Sequence, residues 1–226
     1  MTTTYNFSPG PAMLPPEVID QVRADLPEWH SHGVGQGASV MEVSHRGKAF
    51  EALIDEAEQD LRDLLAIPSN YRVLFMQGGA WGQFACVPMN LLRAGERAGY
   101  AVSGGWSKSA AEEGAKFGQV DVLASSEKDR FTRATKINCE LVEKYIKMNA
   151  RPDVAVPAAW SYLYLCSNET VYGNETHVLP KDLPAPLVVD ASSHFLSRSI
   201  DFDGVGLVYA GAQKNIGPAG VTIVIV

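Results

Sequence analysis

The apolar and polar positions along the chain repeat with two different periods, which separate helical from extended segments. Apolar residues recur every three or four positions between Lys48 and Ile67, and acidic residues occupy much of the remainder of that segment. This spacing predicts an amphipathic helix with an acidic solvent face. The residues expected on its apolar face are Phe50, Leu53, Ile54, Ala57, Leu61, Leu64 and Leu65.

Two further segments have the helical period. Pro15 and Pro16 precede an apolar stripe with a four-residue spacing, and proline is well tolerated in the first turn of a helix. The sequence therefore predicts a helix that ends near Trp29, with a stripe formed by Val18, Val22 and Leu26. A helix over 138–148 is predicted to face inward through Leu141, Val142, Tyr145 and Ile146.

Short apolar runs bounded by turn residues lie between these helices and predict strands. Two of the runs are followed by a pair of glycines and then by a helical pattern, over 78–92 and 104–117. Strand, turn and helix alternate, which is typical of an α/β fold with a mainly parallel, mixed sheet flanked by helices. The strands are expected at 71–76, 100–102, 120–123, 162–166, 187–190, 207–209 and 221–226.

Three other segments differ in composition. Residues 5–14 contain Pro9-Gly10-Pro11 and are predicted to form a turn-rich arm. Residues 30–38 contain three glycines and are expected to form a mobile loop, to which no role is assigned. Residues 127–136 are charged and expected to be exposed. We therefore predict an arm over 1–14 followed by one large domain over 15–226.

The stretch 209–220 places a single lysine, Lys214, among small residues between two apolar runs. Lysine is rarely buried without a partner, and small neighbours leave room for a planar group beside its amine. A desolvated lysine has a lowered pKa and becomes the nucleophile that an imine-forming lysine requires. On this stretch alone, a solvent-facing lysine in a glycine-rich loop is an equal alternative.

A carboxylate, Asp190, ends the apolar run 186–190 upstream of Lys214. Continuous β-branched runs indicate strands buried on both faces, and the carboxyl ends of such strands line the ligand crevice of open α/β sheets. A carboxylate there needs a cation, and a protonated pyridine nitrogen is one. An isolated aspartate is more often a cap or turn residue. Together, Lys214 and Asp190 favour pyridoxal phosphate chemistry, which needs an imine-forming lysine and an acid on the ring nitrogen.

Six sequence strings spread along the whole chain carry a family resemblance. The most specific is AGAQKNIGPAG, at 210–220, which resembles the cofactor-lysine segment of the phosphoserine aminotransferases, a class V aminotransferase family of fold type I. The other five occur in the family's order. They are NFSPGPAMLP at 6–15, SVMEVSHRGKAF at 39–50, GGAWGQFACVPMNLL at 78–92, SNET at 167–170 and LSRSID at 196–201.

The resemblance implies a pyridoxal 5'-phosphate site in which Lys214 and Asp190 are the catalytic residues. It places the phosphate on main-chain groups of Ala80 and Trp81, at a strand-to-helix turn that could equally be a plain tight turn. The family often has Gly-Arg here, so Trp81 is a departure. The remaining implied contacts are ring stacking by Trp106, a hydroxyl contact from Thr170 and a phosphate contact from Gln213. Alternatively, Trp106 packs in the core, Thr170 is a turn residue and Gln213 is an exposed amide.

His45 and Arg46 form the predicted substrate site. Arginine offers a rigid fork that suits carboxylate or phosphate, although Arg46 could instead pair with an acidic neighbour. The resemblance implies that SHR binds the distal anionic group of glutamate, phosphoserine or phosphohydroxypyruvate. It further implies transfer of the amino group of glutamate to 3-phosphohydroxypyruvate in serine biosynthesis, a homodimer, and an active site at the dimer interface.

Composition excludes several other classes of function. A net charge of -7 disfavours nucleic acid or an anionic membrane as the main partner. The amino terminus lacks the pattern of a signal peptide, and no apolar run approaches the length of a membrane span. Cys86, Cys139 and Cys166 lack metal or redox spacing, so we expect reduced thiols in a cytoplasmic protein and no metal site.

The sequence stops inside the apolar run VTIVIV, at Val226. Because proteins of the resembled family continue into a smaller carboxy-terminal domain, we expect that this chain is a fragment and that this domain is absent from it. Two alternatives stay open. One is another class V enzyme of the alanine–glyoxylate aminotransferase or cysteine desulfurase type; the other is an inactive piece of the fold.

Overall fold

The structure is a computed structural model that describes residues 4–29, 38–149 and 160–226. The predicted loop at 30–38 therefore lies almost entirely outside the described residues. The helices are α1 Pro16–Asp25, α2 Lys48–Leu65, α3 Gly79–Leu91, α4 Gly105–Gly114 and α5 Cys139–Asn149. Single turns of 3-10 helix occur at Val40–Glu42 and Glu127–Asp129.

A seven-stranded sheet is the framework of the fold, with strand order β1-β9-β8-β7-β4-β2-β3. β9 runs antiparallel to β1 and β8, whereas the other neighbouring pairs are parallel. The predicted mainly parallel, mixed sheet is thus confirmed. Its strands are β1 Val73–Met76, β2 Arg97–Val102, β3 Gln119–Ser125, β4 Tyr162–Cys166, β7 Leu187–Asp190, β8 Val205–Gly211 and β9 Thr222–Ile225.

A second, two-stranded sheet was not predicted from the sequence. It pairs β5 Asn168–Glu169 with β6 Asn174–Glu175 in an antiparallel hairpin directly after β4. These strands contain only polar residues, so the apolar pattern that locates the other strands is absent here.

Helices cover both faces of the large sheet, which explains why the central strand β4 is apolar throughout. Successive residues of a strand point to opposite faces. Leu163 and Leu165 of β4 belong to the cluster that includes residues of α2 and α5. Tyr162 and Tyr164 of the same strand belong to the cluster with residues of α3 and α4. A strand packed on both sides carries no polar alternation.

Two helix predictions require correction or qualification. Leu64 was predicted on the apolar face of α2, but it is 68% exposed, whereas Leu61 and Leu65 are buried. Successive residues of a helix are rotated by about 100°, so Leu64 lies outside the face centred on its neighbours. In α1 no residue is buried, and the predicted stripe of Val18, Val22 and Leu26 is exposed.

The prediction that 127–136 is exposed is wrong for two of its residues. Phe131 is buried and packs its ring against Tyr172 at 4.9 Å between centroids. Thr135 is buried, and its hydroxyl lies 2.8 Å from that of Ser103. The charged residues of the segment are exposed, so the segment is anchored by one aromatic and one polar side chain.

In the described part of the chain, no helix combines the length and the apolar character that a bilayer crossing requires. The same residues contain no group of three or more histidine, cysteine, aspartate or glutamate side chains placed to hold a metal ion.

His194 is a buried histidine whose titration is expected to affect stability. It is 6% exposed, and its Nε2 lies 2.6 Å from the Ser167 hydroxyl. Burial is the main cause that lowers its pKa from 6.5 to about 4, and the Arg198 charge adds to the effect. The folded state therefore favours the neutral ring.

Acidification is expected to weaken the fold because the unfolded chain takes up the His194 proton first. The stabilising contribution of the neutral ring is complete above pH 6.5 and is lost as the pH falls towards 4. The loss approaches about 3 kcal/mol. The free energy of unfolding, measured with urea from pH 7 to 4, should therefore fall less steeply with decreasing pH in His194→Gln than in the wild type. The exposed His177 provides the control His177→Gln, and equal slopes for the wild type and His194→Gln would contradict the assignment.

Candidate active site

A cleft lies at one edge of the sheet, where the carboxyl ends of β1, β2, β4, β7 and β8 are followed by loops or helix starts. Side chains far apart in sequence meet there because parallel strands end at the same edge. The cleft brings together seven of the nine predicted site residues, namely Ala80, Trp81, Trp106, Thr170, Asp190, Gln213 and Lys214.

The floor of the cleft includes the start of α3. Gly78 and Gly79 have φ of 96° and 66°, a conformation that favours glycine, and no atom lies within 4 Å of a Cβ built on Gly79. The N–H groups of Gly79, Ala80 and Trp81 have no partner within the helix, because the first intrahelical bond runs from Gly82 N to Gly78 O. Open space over a turn with free N–H groups fits a phosphate group.

Two tryptophans form an aromatic wall. The Trp106 ring meets Trp81 edge-on, with centroids 6.0 Å apart, and Trp81 also contacts Phe84 at 5.1 Å. Trp81 is 60% exposed, whereas Trp106 is half-buried. The Lys214 amine lies 5.9 Å from the centre of the Trp106 ring. The wall thus offers the flat surface that a heterocycle beside Lys214 would need.

Asp190 lines the cleft and is held by its own strand and the turn that follows. The carboxylate is 5% exposed and accepts a hydrogen bond of 3.0 Å from Ser192 N. Burial raises the pKa of Asp190, and the nearby Glu169 raises it further. Hydrogen bonds from Ser192 and Tyr209 oppose that rise. None of the main causes of its pKa shift is a basic side chain. A buried acid without a cation fits the ring-nitrogen role.

Lys214 lies in the tight loop between β8 and β9, which is closed by hydrogen bonds from Ile216 N and Gly217 N to Ala212 O. The lysine is half-buried. The amino-terminal arm covers its side chain, because a Cβ built on Gly10 would lie 2.8 Å from Lys214 Cδ. The arm is fixed by the bond from Ala12 N to Gln213 O at 3.0 Å. Gln213 therefore meets both the cleft and the arm.

Thr170 and the preceding Glu169 come from the hairpin after β4. Thr170 lines the cleft and is half-buried. Glu169 is fully buried, and its carboxylate accepts hydrogen bonds from Trp106 N at 3.0 Å and Ser107 N at 2.7 Å. It thus occupies the start of α4 and fixes the backbone that carries Trp106. A Cβ on Gly104 would lie 2.7 Å from Glu169 Cγ and nearer still to the carboxylate.

Three contributors to the site were missed in the sequence. Glu169 lies inside SNET, where only the threonine was considered. Ser192 follows Asp190 at the spacing of an Asx turn, a signal that could have been used. Tyr209 was taken only as part of an apolar run, although its hydroxyl contacts Asp190.

The structure does not bring His45 and Arg46 against the cleft. Both are exposed in the segment before α2, and neither is among the cleft-lining residues. Arg46 N donates to the Ser44 hydroxyl at 3.2 Å, which fixes the local turn. Their role in substrate binding stays a prediction.

Comparisons with known proteins agree with this geometry. The family model described as aminotransferase class-V matches residues 4–226. The phosphoserine aminotransferase of Acidithiobacillus ferrooxidans is 50% identical over 224 residues, covering 99% of this chain and 57% of that protein. That of Nitrosomonas europaea is 47% identical over 234 residues, covering 100% of this chain and 58% of that protein. The chain thus spans little more than half the length of these relatives.

Solved structures give the same result for the fold. The phosphoserine aminotransferase from Bacillus circulans subsp. alkalophilus has a TM-score of 0.84 and 42% identity, covering 99% of this chain and 57% of that one. The enzyme from Trichomonas vaginalis, described as PLP bound, has a TM-score of 0.79 and 37% identity, covering 99% of this chain and 58% of that one. The expected type I fold is confirmed. The chain belongs to the class V aminotransferase family.

Proposed function

We propose that the chain is the cofactor-binding part of a phosphoserine aminotransferase, which transfers the amino group of glutamate to 3-phosphohydroxypyruvate. The observation that carries the proposal is the meeting of Lys214 and Asp190 in one cleft whose wall is the Trp106 ring. The similarity of the chain, over 99% of its length, to proteins named phosphoserine aminotransferase also supports the proposal. We further propose that residues 1–14 are an arm and residues 15–226 the large domain.

The cleft fits pyridoxal 5'-phosphate by three independent features. The free N–H groups at Ala80 and Trp81 match its phosphate, the aromatic wall matches its ring, and the buried Asp190 matches its ring nitrogen. When bound, this group supplies an electron sink for the bond that breaks at the amino acid Cα.

The residues of the chain supply binding and proton transfer. Lys214 would hold the cofactor through its amine, and the same amine, when free, would move the proton at the substrate Cα as general base and acid. Asp190 would keep a proton on the ring nitrogen. Trp106 would stack on the ring and exclude water, and Thr170 and Gln213 would bind the ring oxygen and the phosphate through hydrogen bonds.

Substrate binding and assembly complete the proposal. His45 and Arg46 bind the distal anionic group of glutamate or of the phosphorylated substrate, since a guanidinium suits both carboxylate and phosphate. Because these residues lie outside the cleft lining, the proposal includes a homodimer whose interface completes the site. We also propose a cytoplasmic location, for which the free thiols Cys86, Cys139 and Cys166 are suited.

Covalent cofactor attachment tests the core of the proposal. Addition of pyridoxal phosphate to the purified chain should produce the visible absorption of the lysine-bound cofactor, which borohydride should trap on Lys214. Lys214→Ala should abolish both signals. Lys108→Ala is the matched control, because Lys108 is an exposed lysine paired with Glu127 at 2.6 Å. The proposal would be overturned if borohydride trapped the cofactor on Lys108, or if it trapped no cofactor on the wild-type chain.

Substrate choice is tested separately. With glutamate as donor, the phosphoserine aminotransferase proposal predicts turnover of phosphohydroxypyruvate and not of glyoxylate. Preference for glyoxylate would assign the alanine–glyoxylate type instead. Cofactor attachment without turnover of either acceptor would identify the chain as an inactive piece of the fold.

A further inference from the structure

Four buried tyrosines form two hydroxyl pairs on the face of the sheet that carries α3 and α4. The Tyr100 and Tyr162 hydroxyls are 2.6 Å apart, and those of Tyr164 and Tyr209 are 2.8 Å apart. Each of these side chains is at most 1% exposed. The two pairs have the same chemistry and burial, but only the second contains a register partner of Asp190.

Tyr209 lies beside Asp190 in the sheet. The two residues are register partners on the parallel strands β8 and β7, so their side chains point to the same face. The Tyr209 side chain therefore lies beside the Asp190 carboxylate, and its hydroxyl lowers the pKa of that carboxyl. No corresponding bond joins Asp190 to Tyr100 or Tyr162 in the described part of the chain.

The chemistry of the groups sets the direction of these hydrogen bonds. An ionised carboxylate can only accept, so the Tyr209 hydroxyl can lower the pKa of Asp190 only by directing its single proton towards that carboxylate. The Tyr209 oxygen then accepts a hydrogen bond from the Tyr164 hydroxyl. We call Tyr164 and Tyr209 the tyrosine relay, which runs from Tyr164 through Tyr209 to Asp190.

We propose that Tyr209 is a positioning residue that holds Asp190 ionised towards the ring nitrogen, and that Tyr164 fixes the direction of the Tyr209 hydroxyl. The inference rests on the proposed cofactor role of Asp190. Its chemical basis is a competition for one proton between the carboxylate and the ring nitrogen. A donor to the carboxylate stabilises its charged form and leaves the proton on the ring.

The surroundings of Asp190 explain why such a donor is needed. Glu169 and Cys166 face it from β5 and β4, and both are buried. Burial and the Glu169 carboxylate favour the protonated acid, whereas Ser192 and Tyr209 favour the carboxylate. Ser192 lies two residues after Asp190, in the turn that ends β7. Tyr209 instead reaches Asp190 from the neighbouring strand β8.

Phenylalanine substitutions test the relay in the cofactor-free chain. Carbon-13 NMR of labelled aspartate, with Asp190→Asn for assignment, reports the titration of the Asp190 carboxyl directly. Tyr209→Phe should raise the affinity of this carboxylate for a proton about tenfold or more, which corresponds to loss of a hydrogen bond to a charged group. Tyr164→Phe should raise it less. Tyr162→Phe removes a hydroxyl from the other pair and should leave it unchanged.

A double variant separates a relay from general packing. In the Tyr209→Phe background, addition of Tyr164→Phe should have no further effect on Asp190, because the connection is already broken. Equal responses to Tyr209→Phe and Tyr162→Phe, or additive effects of Tyr164→Phe and Tyr209→Phe, would overturn the proposal.

A second readout uses the chain loaded with pyridoxal phosphate labelled with nitrogen-15 in the ring. The ring-nitrogen shift should report a protonated ring in the wild type and in Tyr162→Phe. It should move towards the unprotonated position in Tyr209→Phe. An unchanged shift in Tyr209→Phe would overturn the proposal. If no variant binds the cofactor, the proposed function fails, but the carboxyl titration still decides whether the relay exists.

Discussion

Asp190→Asn is expected to reduce transamination about 10²–10³-fold while leaving the shape of the site unchanged. This is the effect typical of removing one preorganised electrostatic contact from an active site. The amide keeps an oxygen that can accept from Ser192 N, but it lacks the charge that holds a proton on the ring nitrogen. The measurement is kcat with glutamate and phosphohydroxypyruvate, and Asp203→Asn at an exposed site is the control.

The same substitution should stabilise the cofactor-free chain. The folded-state pKa of Asp190 is raised, so its contribution to stability is favourable at low pH and is lost as the pH rises through that pKa. Asparagine does not ionise and avoids the loss at neutral pH. Thermal unfolding at pH 7 should therefore give a higher midpoint for Asp190→Asn than for the wild type. A lower midpoint, or activity within tenfold of the wild type, would contradict the assigned role.

Gly104→Ala is expected to cost about 2–4 kcal/mol of the free energy of unfolding, from overpacking together with a disturbed buried hydrogen-bond network. The new Cβ would lie 2.7 Å from Glu169 Cγ, and Glu169 is fully buried. The carboxylate can retreat only by leaving Trp106 N and Ser107 N, which it binds at 3.0 and 2.7 Å. Cofactor affinity should fall as well, because Trp106 would move.

The neighbouring glycine gives a matched control. A Cβ on Gly105 would meet only Tyr172 Cε2, at 3.7 Å, which is an ordinary contact. Because Gly105 is the first residue of α4, alanine there should be neutral or slightly stabilising. Urea unfolding measures both variants. Equal stability of Gly104→Ala and Gly105→Ala would show that the close approach of Glu169 does not constrain residue 104.

The fold could be predicted from the sequence to the extent that burial determines the pattern. β4 and β7 have the predicted bounds, because both faces of these strands are packed and their residues are apolar apart from Asp190 at the end of β7. The hairpin β5–β6 escaped prediction because its residues are polar, yet Glu169 and Asn174 are buried through hydrogen bonds. Hydrophobicity carries no signal for a polar side chain that is buried by pairing.

The candidate site was predictable in part for a related reason. Lys214, Asp190 and Trp106 follow strands in sequence, and parallel strands bring their carboxyl ends together whatever their separation along the chain. The relay residue Tyr209 could not be found in this way, because an apolar run gives no indication of which hydroxyl meets which carboxylate. The location of His45 and Arg46 outside the cleft likewise depends on the path of the segment before α2.

The pairing of β1 has a consequence for the biogenesis of the protein. Among the strands that the structure describes, β1 has a single neighbour in the sheet, β9, and their register joins Val73 to Ile225. At a synthesis rate of about 5–20 residues per second, the ribosome needs roughly 8–30 s to make the intervening 150 or so residues. The nascent chain therefore presents an unpaired strand, VLFM, for many seconds, and cells that make this protein have a reason to recruit a chaperone to it.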